Sequence, residues 1–71
     1  MAEQVLAEMV ANVAKIVVTE GDAVGAGSTV VLLESMKMEI PVLTETSGTV
    51  VEIKVAEGEV IQEGDLIAVI G

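Results

Sequence analysis

The sequence contains no cysteine, no histidine, no arginine and no aromatic residue, and each absence closes a class of function. Without Cys or His there are no disulfide staples, no zinc site of the usual kind and no thiol or imidazole catalysis. Without Phe, Tyr or Trp there is no platform on which nucleic-acid bases stack. Three lysines stand against 12 acidic residues, a formal net charge of −9. That is the wrong sign for nucleic acid or an anionic membrane surface. Long apolar runs are missing too: the longest is Leu66-Ile67-Ala68-Val69-Ile70, whereas a membrane-spanning helix needs about 18 such residues. The opening Met1-Ala2-Glu3 lacks the basic residues of a secretory or transit peptide. The expectation is a soluble, cytoplasmic chain with neither nucleic acid nor membrane as partner. No metal ligands and no catalytic residues stand out, and no interface motif appears, so a monomer is the default.

What the sequence does have is branched aliphatic residues. Val, Ile and Thr make up 25 of the 71 positions, and β-branched side chains suit a pleated sheet better than a helix. The apolar stretches are short: residues 13–18, 29–33, 40–43, 50–55 and 66–70. Turn formers separate them, among them Gly21, Gly27, Gly48, Gly58 and Gly64. Within residues 50–55 the alternation puts Val51, Ile53 and Val55 on one face and Glu52 and Lys54 on the other. Residues 1–8 read as a lead-in to a first strand near Leu6–Val10, with the domain proper over residues 9–71. Pro41 inside a strand marks an edge or a bulge.

An internal repeat organises the rest. A shift of 37 residues brings Val13, Ile16, Val18, Glu20, Gly21 and Gly27 onto Val50, Ile53, Val55, Glu57, Gly58 and Gly64. Two half-repeats, about 11–34 and 48–71, are therefore joined by a hairpin at 35–38. Neither half can bury both of its faces alone, so they pack as two sheets about a pseudo-twofold axis. That places the hairpin at one tip and the chain ends near the other, where tethering or fusion leaves the tip free.

The hairpin breaks the chain's own rule. The other turns use Gly, but this one uses Ser35-Met36-Lys37-Met38, without the Asn-Gly, Asp-Gly or Gly-X that tight hairpins favour. Such a departure marks a candidate functional site. For a lysine in an arbitrary turn the ordinary role is a solvated charge. Lys37, however, is the only lysine in a turn, sits at the tip unique to one half, and is flanked by two polarizable methionines suited to adaptable contact. A lysine acting alone as a nucleophilic catalyst needs burial or a cationic neighbour, and its neighbours are Glu34 and Glu39. Acylation by a partner that presents an activated carboxyl group is the chemistry left open.

The segment Glu34-Ser35-Met36-Lys37-Met38 resembles the attachment motif of the biotinyl/lipoyl attachment domains, and Met36-Lys37-Met38 is similar to its biotin form. The resemblance runs from about Met9 to Ile70 and includes Glu39-Ile40-Pro41, Ser47-Gly48-Thr49-Val50 and the Glu57-Gly58 and Glu63-Gly64-Asp65 turns. It implies an all-β fold, a flattened barrel or sandwich of two four-stranded antiparallel sheets. It implies covalent biotin on Lys37, with Met36 and Met38 as flanking recognition residues and Glu34 and Ser35 as motif residues. The partners implied are biotin protein ligase, which joins biotin to Lys37 by way of biotinyl-adenylate, then biotin carboxylase and a carboxyltransferase. The domain would be a carrier rather than an enzyme. Lipoyl members of the family usually have Asp at the position of Met36. A lipoyl carrier of a 2-oxo acid dehydrogenase or glycine cleavage system is one alternative. An unmodified acidic module that docks a partner through the Met36–Met38 tip is the other.

Overall fold

The computed structural model describes residues 2–71. Eight strands follow one another: β1 (Glu3–Leu6), β2 (Ala11–Ile16), β3 (Ala23–Val24), β4 (Thr29–Ser35), β5 (Met38–Leu43), β6 (Gly48–Ile53), β7 (Val60–Ile61) and β8 (Leu66–Ile70). They form two four-stranded sheets, β1-β8-β6-β3 and β5-β4-β2-β7, with every pairing antiparallel. The all-β sandwich of two four-stranded sheets is the architecture the composition and the resemblance lead one to expect. Between the sheets lies an aliphatic core in which Val13, Val30, Val31, Leu33, Val50, Ile61, Ile67 and Ile70 are almost fully enclosed. Branched side chains fill the gap without aromatic bulk, and no buried side-chain polar atom among the described residues lacks a partner. Buried Thr44 donates its hydroxyl hydrogen to the Gly25 carbonyl at 2.8 Å.

The repeat is visible bond by bond. Val13 pairs with Leu33 and Val50 with Ile70; Ala11 pairs with Ile61 and Gly48 with Val24. Each second pairing is the first displaced by 37 residues. Each half-repeat contributes two strands to one sheet, β2 and β4 or β6 and β8, and lends a two-residue strand, β3 or β7, to the other. The carboxylates of Glu20 and Glu57 reinforce this exchange. Ile53 N donates to Glu20 Oε2 and Ile16 N to Glu57 Oε2, both at 2.9 Å. Each glutamate thus satisfies a backbone amide of the opposite half.

Three expectations need correction. Residues 1–8 are not a lead-in to a strand at Leu6–Val10: β1 begins at Glu3 and pairs with β8 (Met1 lies outside the described residues). The reason is burial, because Val5 and Ala7 are core residues that cover one side of the sandwich. The alternation in residues 50–55 also runs differently, with Val50 buried and Val51 56 % exposed. A bulge between Val50 and Glu52 inserts one extra residue and returns Ile53 to the core side. Finally, Gly48 is not a turn residue. Gly21, Gly27, Gly58 and Gly64 have φ between 86° and 97° and do make turns, but Gly48 opens strand β6. A Cβ there would lie 2.5 Å from the Gly71 carbonyl oxygen, so close backbone approach excludes a side chain.

Candidate functional site at the hairpin tip

Strands β4 and β5 run side by side from Thr29↔Leu43 to Ser35↔Met38, leaving Met36 and Lys37 as the two residues of the turn. Both have positive φ, 53° and 66°. They are the only residues other than glycine in that region among those described. A two-residue hairpin twisted to match its strands demands this conformation, and a side chain held in it costs about 1–2 kcal/mol per residue. The chain accepts that strain here, although at four other turns it uses glycine. Strain retained where Asn-Gly would relieve it is the mark of a position kept for its side chains.

Those side chains point outward. Met36 is 91 % exposed and Met38 62 %. Lys37 is exposed, and no carboxylate lies within ion-pair distance of its amine. The one ion pair among the described residues joins Lys54 Nζ to Glu52 Oε2 at 2.8 Å, far along the chain. Lys15 lies within β2, while Lys54 falls one residue beyond β6, its amide bonded to the Ile67 carbonyl. Glu34 and Glu39 face each other directly across β4 and β5, both exposed. Like charges opposite one another weaken a strand pair slightly, so they add negative potential at the base of the tip rather than stability. Ser35 is half-buried and closes the turn opposite Met38.

The tip is also well separated from the chain ends. From the tip, β2 leads the chain away towards β3, which pairs with Gly48 and Thr49. Thr49 in turn exchanges two 2.8 Å hydrogen bonds with Gly71, so the C-terminus lies at the end remote from the hairpin. Glu3 pairs with Ile70 at that same end. The molecule spans 33 Å along its longest axis and 18 Å across. An exposed, unpaired primary amine on a rigid turn is a group that another enzyme can acylate, and a chain tethered at its ends would leave it accessible.

The sequence reading identified all five tip residues, and the fold brings them together. It overlooked two carboxylates that hold the scaffold, Glu20 and Glu57, although both were aligned in the repeat. It also overlooked Glu3, whose carboxylate accepts hydrogen bonds from Glu45 N, Thr46 N and Thr46 Oγ1 at 2.8–3.2 Å. No sequence signal marks that contact, because the residue aligned with Glu3 in the other half is Ile40.

The family profile described as "biotin-requiring enzyme" matches residues 2–70. A biotinylated protein TB7.3 homolog of Mycobacterium leprae is 61 % identical over 70 residues, covering 99 % of both chains. Its counterpart in Mycolicibacterium smegmatis is 67 % identical over the same length and coverage. Among solved structures, the urea carboxylase of Kluyveromyces lactis superposes with a TM-score of 0.94 at 38 % identity, over all of this chain but 6 % of the larger protein. A single-chain, multi-domain long-chain acyl-CoA carboxylase gives 0.88 at 28 % identity, covering 96 % of this chain and 7 % of its own. This chain belongs to the biotinyl/lipoyl attachment family, as a biotin carboxyl carrier domain.

Proposed function

We propose that Lys37 is the point at which this domain carries biotin between the active sites of a biotin-dependent carboxylase. The observation that supports this most is the turn: a strained, outward-facing Met36-Lys37 pair whose amine is free of ion pairs. Biotin protein ligase would present the carboxyl group as an acyl-adenylate. Lys37 Nζ then forms the amide bond, the bond to the adenylate phosphate breaks, and the attacking nitrogen gives up a proton. Once attached, biotin supplies a ring nitrogen on which a carboxyl group is carried. Met36 and Met38 offer apolar, polarizable contact beside the attachment point, and Glu34 and Glu39 set a negative charge below it. The remainder of the chain keeps this tip rigid and away from the ends. Its contribution to the reaction is positional, since a tethered group reaches an effective concentration of order millimolar at each site it visits. The domain itself catalyses no step. The cytoplasm is its compartment on this reading, which fractionation of cells expressing a tagged chain would check.

Two assays test the reading. Protein coexpressed with biotin protein ligase should be shifted by streptavidin on a native gel. It should then raise bicarbonate-dependent ATP hydrolysis by biotin carboxylase, while Lys37→Arg should do neither. Lipoylation by a lipoate ligase in place of biotinylation would establish the lipoyl reading instead. A chain modified by neither ligase would leave the unmodified docking module.

A further inference from the structure

We propose that the side of the sandwich where β1 and β5 run past each other is a docking groove for an extended, cationic protein segment, which adds to the free edge of β1. The proposal is independent of what Lys37 carries.

A sandwich of two open sheets has four edges, and three of them are blunted. Strands β3 and β7 are two residues long, too short to template another strand. Strand β5 carries Pro41. In a two-residue hairpin the Ser35–Met38 pair exchanges hydrogen bonds, and the pairs beyond it alternate. Leu32↔Pro41 is therefore a pair whose backbone groups point away from each other. The nitrogen of Pro41 consequently faces the free edge, where it offers no donor. The position related to Pro41 by the 37-residue shift is Gln4 in β1, paired with Val69. Its N–H faces the free edge of the other sheet. Among the described residues, only β1 presents an edge of four residues with its donors intact.

Beside that edge lies an open groove of about 700 Å³. Its apolar surface comes from Val5 and Leu6 on one side and Ile40, Val42 and Leu43 on the other. Leu6 and Leu43, which the repeat places in equivalent positions, are 45 % and 48 % exposed. The ionisable residues lining it are Glu3, Glu8 and Glu45, all carboxylates. A second copy of this chain would bring another net charge of −9 against them, so self-pairing is opposed. A strand with Lys or Arg alternating with aliphatic residues fits all three features. Its backbone pairs with β1, its apolar side chains cover Leu6 and Leu43, and its cations meet the carboxylates.

The probe is the acetylated, amidated hexapeptide (Lys-Val)₃, titrated into the 15N-labelled intact chain, with (Glu-Val)₃ as its control. Saturable amide shifts should centre on Gln4, Leu6, Ile40 and Leu43, and the acidic peptide should produce none. Gln4→Pro, which copies the guard found at Pro41, should weaken binding at least tenfold. Should that variant fold poorly, Glu8→Lys with Glu45→Lys changes only exposed side chains and should transfer preference to (Glu-Val)₃. Shifts scattered over the acidic surface without saturation would overturn the proposal. So would shifts centred on the hairpin tip, or an unchanged affinity in Gln4→Pro or in the charge-reversed variant. Concentration-dependent shifts along β1 without any peptide would do the same, by assigning the edge to a second copy.

Discussion

Met36 and Lys37 hold left-handed backbone conformations that most side chains avoid, and the hairpin would fold more easily with the residues its geometry favours. Replacing the pair by Asn-Gly should therefore stabilise the domain by about 1–2 kcal/mol. In a chain of this size each kcal/mol raises the thermal midpoint by about 4–8 °C. The same substitution removes the amine, so stability and acylation should move in opposite directions in one variant. An unchanged or lower midpoint would mean that the methionine and lysine are part of the packing rather than held in spite of it. Gly48 makes the opposite case: it has ordinary backbone angles but no room, and Gly48→Ala should destabilise by more than 1 kcal/mol, roughly. Glu3 contributes in a pH-dependent way. Burial works against its charge, but hydrogen bonds from Glu45 N, Thr46 Oγ1 and Thr46 N outweigh it, and its carboxyl titrates below the ordinary value of 4.5. A carboxyl whose pKa is lowered by folding stabilises above its unfolded value, and that contribution is lost as pH falls through the folded one. In urea titrations Glu3→Gln should be less stable than the parent at neutral pH, and the gap should close as the pH falls from the unfolded value of the carboxyl through its lowered folded one.

The strands depend on each other across the repeat. Val5→Ala in β1 should cost about 2 kcal/mol, because it opens a cavity beside the core; a frayed lead-in would cost nothing. Glu20→Ala and Glu57→Ala should each cost on the order of 1 kcal/mol. The two losses should agree closely, since each removes the same bond from opposite halves. What could be read from the sequence follows from this arrangement. Val13, Ile16, Gly21 and Gly27 recur 37 residues later because equivalent pairs demand the same side chain or the same turn, so the two sheets were legible. Strand β1 was equally within reach: Val5, Leu6 and Glu8 recur as Val42, Leu43 and Glu45. It is the copy of β5, displaced by 37 residues, and each forms an edge of its own sheet. The bulges at residues 50–52 and 13–15 were not legible, because an inserted residue moves the side chains beyond it to the other face while the order of apolar and polar residues in the sequence carries no mark of the insertion. Gly48 could not be read correctly either, since its neighbour, the Gly71 carbonyl, is brought to it only by the fold.

Taken whole, the molecule is a narrow double sheet with an exposed lysine amine at one end and the C-terminus at the other. Its duplicated halves make both ends equivalent in backbone, but only one of them carries a closed turn with a lysine. The tip was legible because it departs from the chain's own use of glycine; its exposure, and its freedom from Glu34 and Glu39, became visible only in three dimensions. The chain carries a formal net charge of −9, so contacts with partners that read this charge should weaken with salt, the Debye length being about 10 Å at 0.1 M. Of the three lysines, Lys15 sits within a strand and Lys54 is held by Glu52; Lys37, in the turn and free of ion pairs, is the acceptor we propose. Fragmentation mass spectrometry of the intact chain after exposure to biotin, ATP and biotin protein ligase addresses that assignment directly. A single biotin on Lys37, with none gained by Lys37→Arg, is the predicted result. Biotin on Lys15 or Lys54, or an unmodified chain alongside an active ligase, would contradict it.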